Sequence, residues 1–216
     1  MAAALELRHS LLTTDGPLLL EATTLAASAF QSTPSYAYMV PDDSGRSTFL
    51  RWLFERNFWL RLQTDCCRCT YDEATGDLIS FFMFVKPSVP HPSLMDNLRA
   101  GLVGGAFIHG FGAVRRLLQT KSWFEVKQEE VLGSREAISL ERMVVLPAYQ
   151  GKGVGSRALS ESLKEADALR LPCVLATQEE RNVVFYGRLG FKVVDESVCD
   201  LGGYTNWMMV REPVIK

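Results

Sequence analysis

The stretch ISLERMVVLPAYQGKGVG, residues 138–155, constrains this chain more than any other. It opens on the apolar run Leu140 to Leu146, short and rich in Met, Val and Leu, which reads as a buried strand. Pro147 cannot donate to a ladder and ends it. A glycine-rich turn follows, Gln150-Gly151-Lys152-Gly153-Val154-Gly155, and then a helical pattern from Ser156 to Leu169. Leu159, Leu163, Ala166 and Leu169 recur there at spacings of three and four.

A strand, a glycine turn and a helix N-terminus together can hold an anion. The first N–H groups of a helix lack partners within it and sit at the positive end of its dipole. Glycines remove the Cβ atoms that would keep a phosphate from that backbone, and Lys152 adds a charge. Two readings stay open, a phosphate or pyrophosphate site and an ordinary turn with spare glycines. A Walker loop does not fit, because Gly153 stands where Ser or Thr should follow Gly151-Lys152. A dinucleotide fingerprint fails as well, since its third glycine falls on Ser156.

Gln150, Gly153 and Gly155 match every fixed position of [RQ]-x-x-G-x-[GA]. A second segment, Asn182-Val183-Val184-Phe185-Tyr186-Gly187-Arg188-Leu189-Gly190-Phe191, has the spacing N-x-x-x-Y-x-x-x-G-F. In both motifs the chain resembles the Gcn5-related N-acetyltransferase (GNAT) family. It resembles most the puromycin N-acetyltransferase-like members, which share Q-G-K-G-x-G-S, RNxxFYxRLGF and a last strand with Trp and Met. The motifs carry the resemblance from about Ser139 to Arg211, and only general layout carries it before that. One departure stands out: those members often read L-E-T where this chain has Leu175-Ala176-Thr177, so puromycin itself is not expected.

The resemblance implies an α/β fold. Its mixed central sheet has six to seven strands flanked by helices, with an extra helical segment before the central strand. It implies one domain over 1–216, with a cofactor-binding core at about 137–211. It further implies acetyl-CoA as donor and a primary amine of a small molecule as acceptor. The cofactor would be held by Met143, Val144 and Val145 of the strand and by Gln150, Gly151, Lys152, Gly153, Val154, Gly155 and Ser156 of the turn. Asn182 and Tyr186 would complete that set. Phe30, Tyr36 and Tyr38 become candidate walls of the acceptor pocket, or else amphipathic side chains packed at the surface.

The residues also permit the chemistry. Side chains alternate along a strand, so Glu141, Met143 and Val145 should share one face and Leu140, Arg142 and Val144 the other. A carboxylate within an apolar run holds its proton more tightly when unpaired, which suits Glu141 as a base acting directly or through water. The competing expectation is that Arg142 or a helix arginine pairs with it. Tyr186 is the candidate acid, or a hydrogen-bond donor to the leaving sulfur. A phenol near pKa 10 gives its proton to a thiolate near 8.5 only uphill. Two alternatives remain, a protein lysine or N-terminal acetyltransferase and an acyl-CoA-binding regulatory module without turnover.

Composition narrows the classes. With 23 basic and 25 acidic residues the chain has a formal net charge of −2, no footprint for nucleic acid or an anionic membrane surface. No apolar run approaches the roughly 20 residues that span a bilayer. Glu6 interrupts the N-terminus, so a secretory signal is not expected and a cytoplasmic protein is, as monomer or homodimer. Five cysteines without such a signal point to reduced thiols. Cys66-x-x-Cys69 could be half a zinc site, but His9, His91 and His109 are scattered, and structural thiols beside a strand fit better, so no metal is expected.

Along the rest of the chain, Leu5 to Leu11 alternates like a strand with one buried face. Pro17 starts a helix carrying Leu18, Ala22, Leu25 and Ala29 on one side. Residues 30–41 read as a loop. A second helix, Asp43 to Gln63, takes Asp43 or Ser44 as its cap and exposes an arginine stripe at 46, 51, 56 and 61. Runs 66–72 and 78–85 form a hairpin whose second strand is buried on both faces. Between Pro87 and Gly133 a glycine-dense segment precedes a helix over 114–127, as a lid over substrate or a close-packed connector. Pro172 to Thr177 should pair parallel with the central strand. A helix over 182–189 and an antiparallel pair, 191–196 and 204–211, close the chain around the Gly202-Gly203 turn.

Overall fold

The computed structural model describes residues 5–62 and 64–215. Its chain order is β1 (Leu7–Leu11), α1 (Pro17–Ala29), α2 (Pro34–Met39), α3 (Asp43–Trp59), β2 (Cys67–Asp72) and β3 (Leu78–Val85), then α4 (Leu94–Arg99), α5 (Gly105–His109) and α6 (Phe111–Leu132). The remainder is β4 (Ile138–Val145), α7 (Val154–Leu169), β5 (Cys173–Thr177), α8 (Glu180–Gly187), β6 (Lys192–Cys199) and β7 (Tyr204–Arg211). The strands form one seven-stranded sheet in the order β1-β2-β3-β4-β5-β7-β6. The β4–β5 pair is parallel and every other pairing is antiparallel. The mixed sheet of the expected α/β fold is therefore present, with its extra helices ahead of the central strand.

Both faces of the sheet are covered. β3 shows why: Phe81 and Met83 point into a core built with α1 and α3, while Phe82 and Phe84 point into one built with α7 and α8. All four side chains are buried, as a two-sided strand requires. α6 covers the first of these faces further along, where Leu132 meets Val174, Met208 and Val210. Phe54, Phe58 and Phe81 join α3 to the sheet, with Phe58 stacked on Phe54 at 5.7 Å and 4.4 Å from Phe81. The five cysteines are buried free thiols, and burial pushes Cys69 and Cys173 up to about 12. Among the described residues no helix is long and apolar enough to cross a membrane.

Several expectations give way. β1 is an edge strand with most side chains open, its Arg8 lying over the Tyr71 ring, so it buries no continuous face. In α1 the buried positions are Leu19, Ala22, Thr23, Ala26 and Ala27, and Ala29 is exposed. The expected loop at 30–41 contains α2, because Pro34 occupies the first helical turn, where its missing N–H costs nothing. The cap of α3 is Asp42, which accepts from the Gly45 N–H at 2.6 Å, and the expected end at Gln63 lies outside the described residues. Arg46 leaves the solvated stripe: it is buried and donates to the Val40 carbonyl at 2.9 Å. α8 begins at Glu180, two residues before the expected start, and α6 spans more than the pattern over 114–127.

Phe58→Ala removes a fully buried ring from the α3–sheet junction. Urea unfolding should show a loss of about 3–5 kcal/mol. A loss under about 1 kcal/mol would contradict this account of the core.

Candidate active site

The site originates in an irregularity of β4. Met83 pairs with Glu141 and Phe81 with Val144, so Arg142 and Met143 together stand opposite Phe82 alone. This is a β-bulge, and Arg142 takes it up with φ of 52, a conformation that side chains other than glycine rarely adopt. β4 meets β5 only through Ile138 with Cys173 and Ser139 with Val174, and past Ser139 the two strands separate. A cavity of about 2430 Å³ runs through the gap, lined by Met143 and Val145 on one side and Leu175 and Thr177 on the other. Drug-sized ligands fill roughly 300–1,000 Å³, so there is room for two.

The bulge also corrects the expected alternation. Leu140 and Met143 pack on the α7–α8 core, and Val145 approaches Gly155 of α7. Val144 packs on the α1–α3 core, and Arg142 lies over Phe54 of that core. Glu141 is bonded to Arg142, so Glu141, Arg142 and Val144 stand together, not Glu141 with Met143 and Val145. One extra residue inverts everything after it.

At the opposite end lies the glycine turn. Gly151 and Gly153 have φ of 73 and 74, and a Cβ at either would point into open space. Gly155 is needed for closeness, since its Cβ would come within 3.1 Å of the Phe185 ring. The first bond of α7 at this end runs from the Arg157 N–H to the Gly153 carbonyl at 3.1 Å. The N–H groups of Val154, Gly155 and Ser156 precede it, at the positive end of the helix. All three residues line the cavity, as do Gly151, Gly153 and Gln150. Gln150 donates its amide to the Val145 carbonyl at 2.9 Å, tying turn to strand. Lys152 does not line the cavity; its ammonium lies 5.2 Å from the centroid of the Tyr149 ring. These open cradles fit a pyrophosphate.

Between the two ends stand the candidate catalytic groups. Tyr186 lines the cavity from α8, wedged between Phe185 and Phe191, and burial pushes its phenol up. Asn182 lines it one turn earlier and donates to Thr177 Oγ1 at 3.1 Å. Glu141 lines the cavity in an ion pair with Arg142, so the condition of an unpaired carboxylate is not met and the competing expectation holds. Burial pushes the Tyr36 phenol up as well, opposed by the Arg142 guanidinium beside it. Phe30, Tyr36 and Phe54 form an edge-to-face trio with centroids 5.5–6.0 Å apart. Tyr38 departs from the expected wall: its ring packs against Gly202 at the β6–β7 turn, away from the cavity lining.

Two lining residues escaped the sequence reading. Gln178 accepts from Ser35 Oγ at 2.8 Å and donates to Asn206 Oδ1 at 3.4 Å, joining α2 to the sheet. Its position directly after β5 was the available signal, because ligands gather at the carboxyl ends of strands. Arg142 was read only as a partner for Glu141. Among the described residues no cluster of three or more His, Cys, Asp or Glu side chains is placed to hold a metal.

Residues 103–193 match the model of the acetyltransferase (GNAT) domain. Three solved structures are similar along nearly the whole chain. A Corynebacterium glutamicum protein, histone acetyltransferase HPA2 and related acetyltransferase, is 15% identical over 96% of this chain and 98% of its own, with a TM-score of 0.61. PH1933 from Pyrococcus horikoshii is 14% identical over 97% and 100%, at 0.56. Escherichia coli ElaA is 17% identical over 96% and 99%, at 0.51. At such identities the structural likeness concerns the fold.

Because the folded protein holds the Tyr186 proton more tightly than the unfolded chain, stability from this group is intact below pH about 10 and falls as pH rises further. Urea unfolding of wild type and Tyr186→Phe between pH 9 and 11 should therefore diverge. The wild type loses up to about 1.4 kcal/mol per pH unit more than the variant. Parallel curves would contradict the burial of this phenol.

Proposed function

We propose that the chain is an acetyl-CoA-dependent acetyltransferase of the GNAT family, and that it acetylates the primary amine of a small molecule by direct attack, within one domain spanning 1–216. The observation that carries this reading is the single cavity through the β4–β5 split, which joins the glycine cradle to Glu141 and Tyr186. Gly151 to Ser156 would take the pyrophosphate on their N–H groups, with the Gln150 amide beside them. The β5-side edge of Met143, Val144 and Val145, where the Val145 carbonyl accepts from Gln150, would pair with the pantetheine arm, and Asn182 would bond near its junction with the pyrophosphate.

Acetyl-CoA, when bound, supplies the acetyl group as a thioester. Glu141 takes the proton of the attacking amine, directly or through a water. A β4 N–H at the split donates to the carbonyl oxygen as negative charge develops on it. As nitrogen bonds the acetyl carbon and the C–S bond breaks, Tyr186 donates to the departing sulfur. Its raised affinity for the proton favours a hydrogen bond over complete transfer. Phe30, Tyr36 and the short helix α2 border the acceptor side, with Phe54 packed behind them, which supports a small acceptor over a peptide lying in an open groove.

Free-thiol release from acetyl-CoA across small amines and peptides tests the reading. A small amine should be turned over, with Glu141→Gln lowering kcat/KM by about 10²–10⁴-fold and leaving acetyl-CoA binding unchanged. Tyr186→Phe should cost roughly tenfold, the worth of one hydrogen bond to sulfur. Undiminished turnover by Glu141→Gln would remove that residue from the mechanism, and turnover of peptides alone would replace the small acceptor with a protein.

A further inference from the structure

Arg142 has no task in the transfer just described, yet it forms part of the acceptor wall. Its side chain is only 20% exposed, and it lines the cavity. Nη1 donates to Glu141 and, at 3.5 Å, to the Met83 sulfur, while Nε has no partner. The Phe54 ring covers the guanidinium at 5.8 Å, and Tyr36 stands beside it. A guanidinium carries five donors in a rigid fork. Here most of its hydration is gone, and a carboxylate, a thioether and the Tyr36 hydroxyl replace only a part of it. The charge is kept in place by the bulge, where Arg142 alone adopts φ of 52.

From this arrangement we infer that Arg142 receives a carboxylate of the acceptor, and that the acceptor is an α-amino acid with an apolar side chain. The inference rests on the transfer reading given above. Its geometry is that of neighbouring groups: Glu141 is bonded to the same guanidinium that would anchor the acceptor. An α-amino acid carries its amine and its carboxylate on one carbon, so seating the carboxylate on Arg142 brings the amine beside Glu141. Arginine suits such an anchor because its fork matches a carboxylate in two parallel bonds. The remaining wall, Phe30, Tyr36 and Met83, backed by the buried Phe54 ring, is aromatic and apolar and suits a hydrocarbon or thioether side chain. A polyamine would bring cations against Arg142. A peptide N-terminus offers no α-carboxylate, that group being tied up in the amide.

The test compares phenylalanine and methionine with their amides and with phenethylamine, by free-thiol release from acetyl-CoA with the full chain. The free amino acids should exceed the carboxylate-free partners in kcat/KM by about 10–100-fold, mostly through KM, as a charge-assisted bond of 1.5–3 kcal/mol implies. Arg142→Gln should erase that preference with acetyl-CoA affinity retained. Arg142→Lys, which keeps the charge opposite Glu141 and loses the fork, should leave a smaller preference. Equal use of amide and acid by the wild type overturns the inference, as does a preference that survives in Arg142→Gln. Turnover of carboxylate-free amines alone also overturns it and leaves the transferase reading standing. No thiol release from any amine, with acetyl-CoA bound, overturns both.

Discussion

Two parallel strands at the centre of this sheet stay paired for two residues each and then part, and the rest of the molecule is arranged around that separation. A gap inside a sheet leaves backbone N–H and C=O groups without ladder partners, which is costly unless something else satisfies them. The bulge at Arg142 turns β4 away from β5 while its pairing to β3 continues on the other side. On the opened side Gln150 donates its amide to the Val145 carbonyl at 2.9 Å. The opened edge is thus partly satisfied by the protein and partly presented to the cavity.

Rigidity on either side makes the opening durable. The α1–α3 core locks one face of the sheet through a stack of phenylalanines, and the α7–α8 core locks the other through Leu159, Leu163 and Phe191. The two cores divide the labour of the site. The α7–α8 face carries the glycine cradle, Asn182 and Tyr186, and the α1–α3 face carries Glu141, Arg142 and the aromatic wall. The extra helices α4 to α6 bring Trp52 of α3 into contact with His109, with ring centroids 4.9 Å apart, and leave no space for a side chain at Gly105. That contact explains Gly105 as part of a close-packed connector.

Much of this was legible in the residues. The spacing Gln150, Gly153, Gly155 is visible because Gly153 takes a positive φ and Gly155 lies against the Phe185 ring, and the apolar spacing of α7 follows directly. β3 declared itself by an apolar run broken only at Ser80. The bulge did not, since no glycine marks it in the run, and the alternation assigned to Glu141, Arg142 and Met143 failed for that reason. α2 was hidden by its own Pro34, which reads as a loop residue and serves as a helix start. Arg46 and Gln178 were missed because charge and polarity suggest solvent until tertiary structure supplies backbone carbonyls and an asparagine as partners. Lys152 was assigned to the cofactor by its place between two glycines, whereas its side chain rests on Tyr149.

The central claim is that one ligand threads the β4–β5 split, with its phosphates on the glycine turn and its reactive end between Glu141 and Tyr186. A crystal structure with coenzyme A tests it most directly. The account predicts a pyrophosphate against the N–H groups of residues 151–156 and a pantetheine arm along Met143 to Val145, its sulfur within reach of Tyr186. Coenzyme A bound elsewhere, with the split closed or filled by protein side chains, would contradict it.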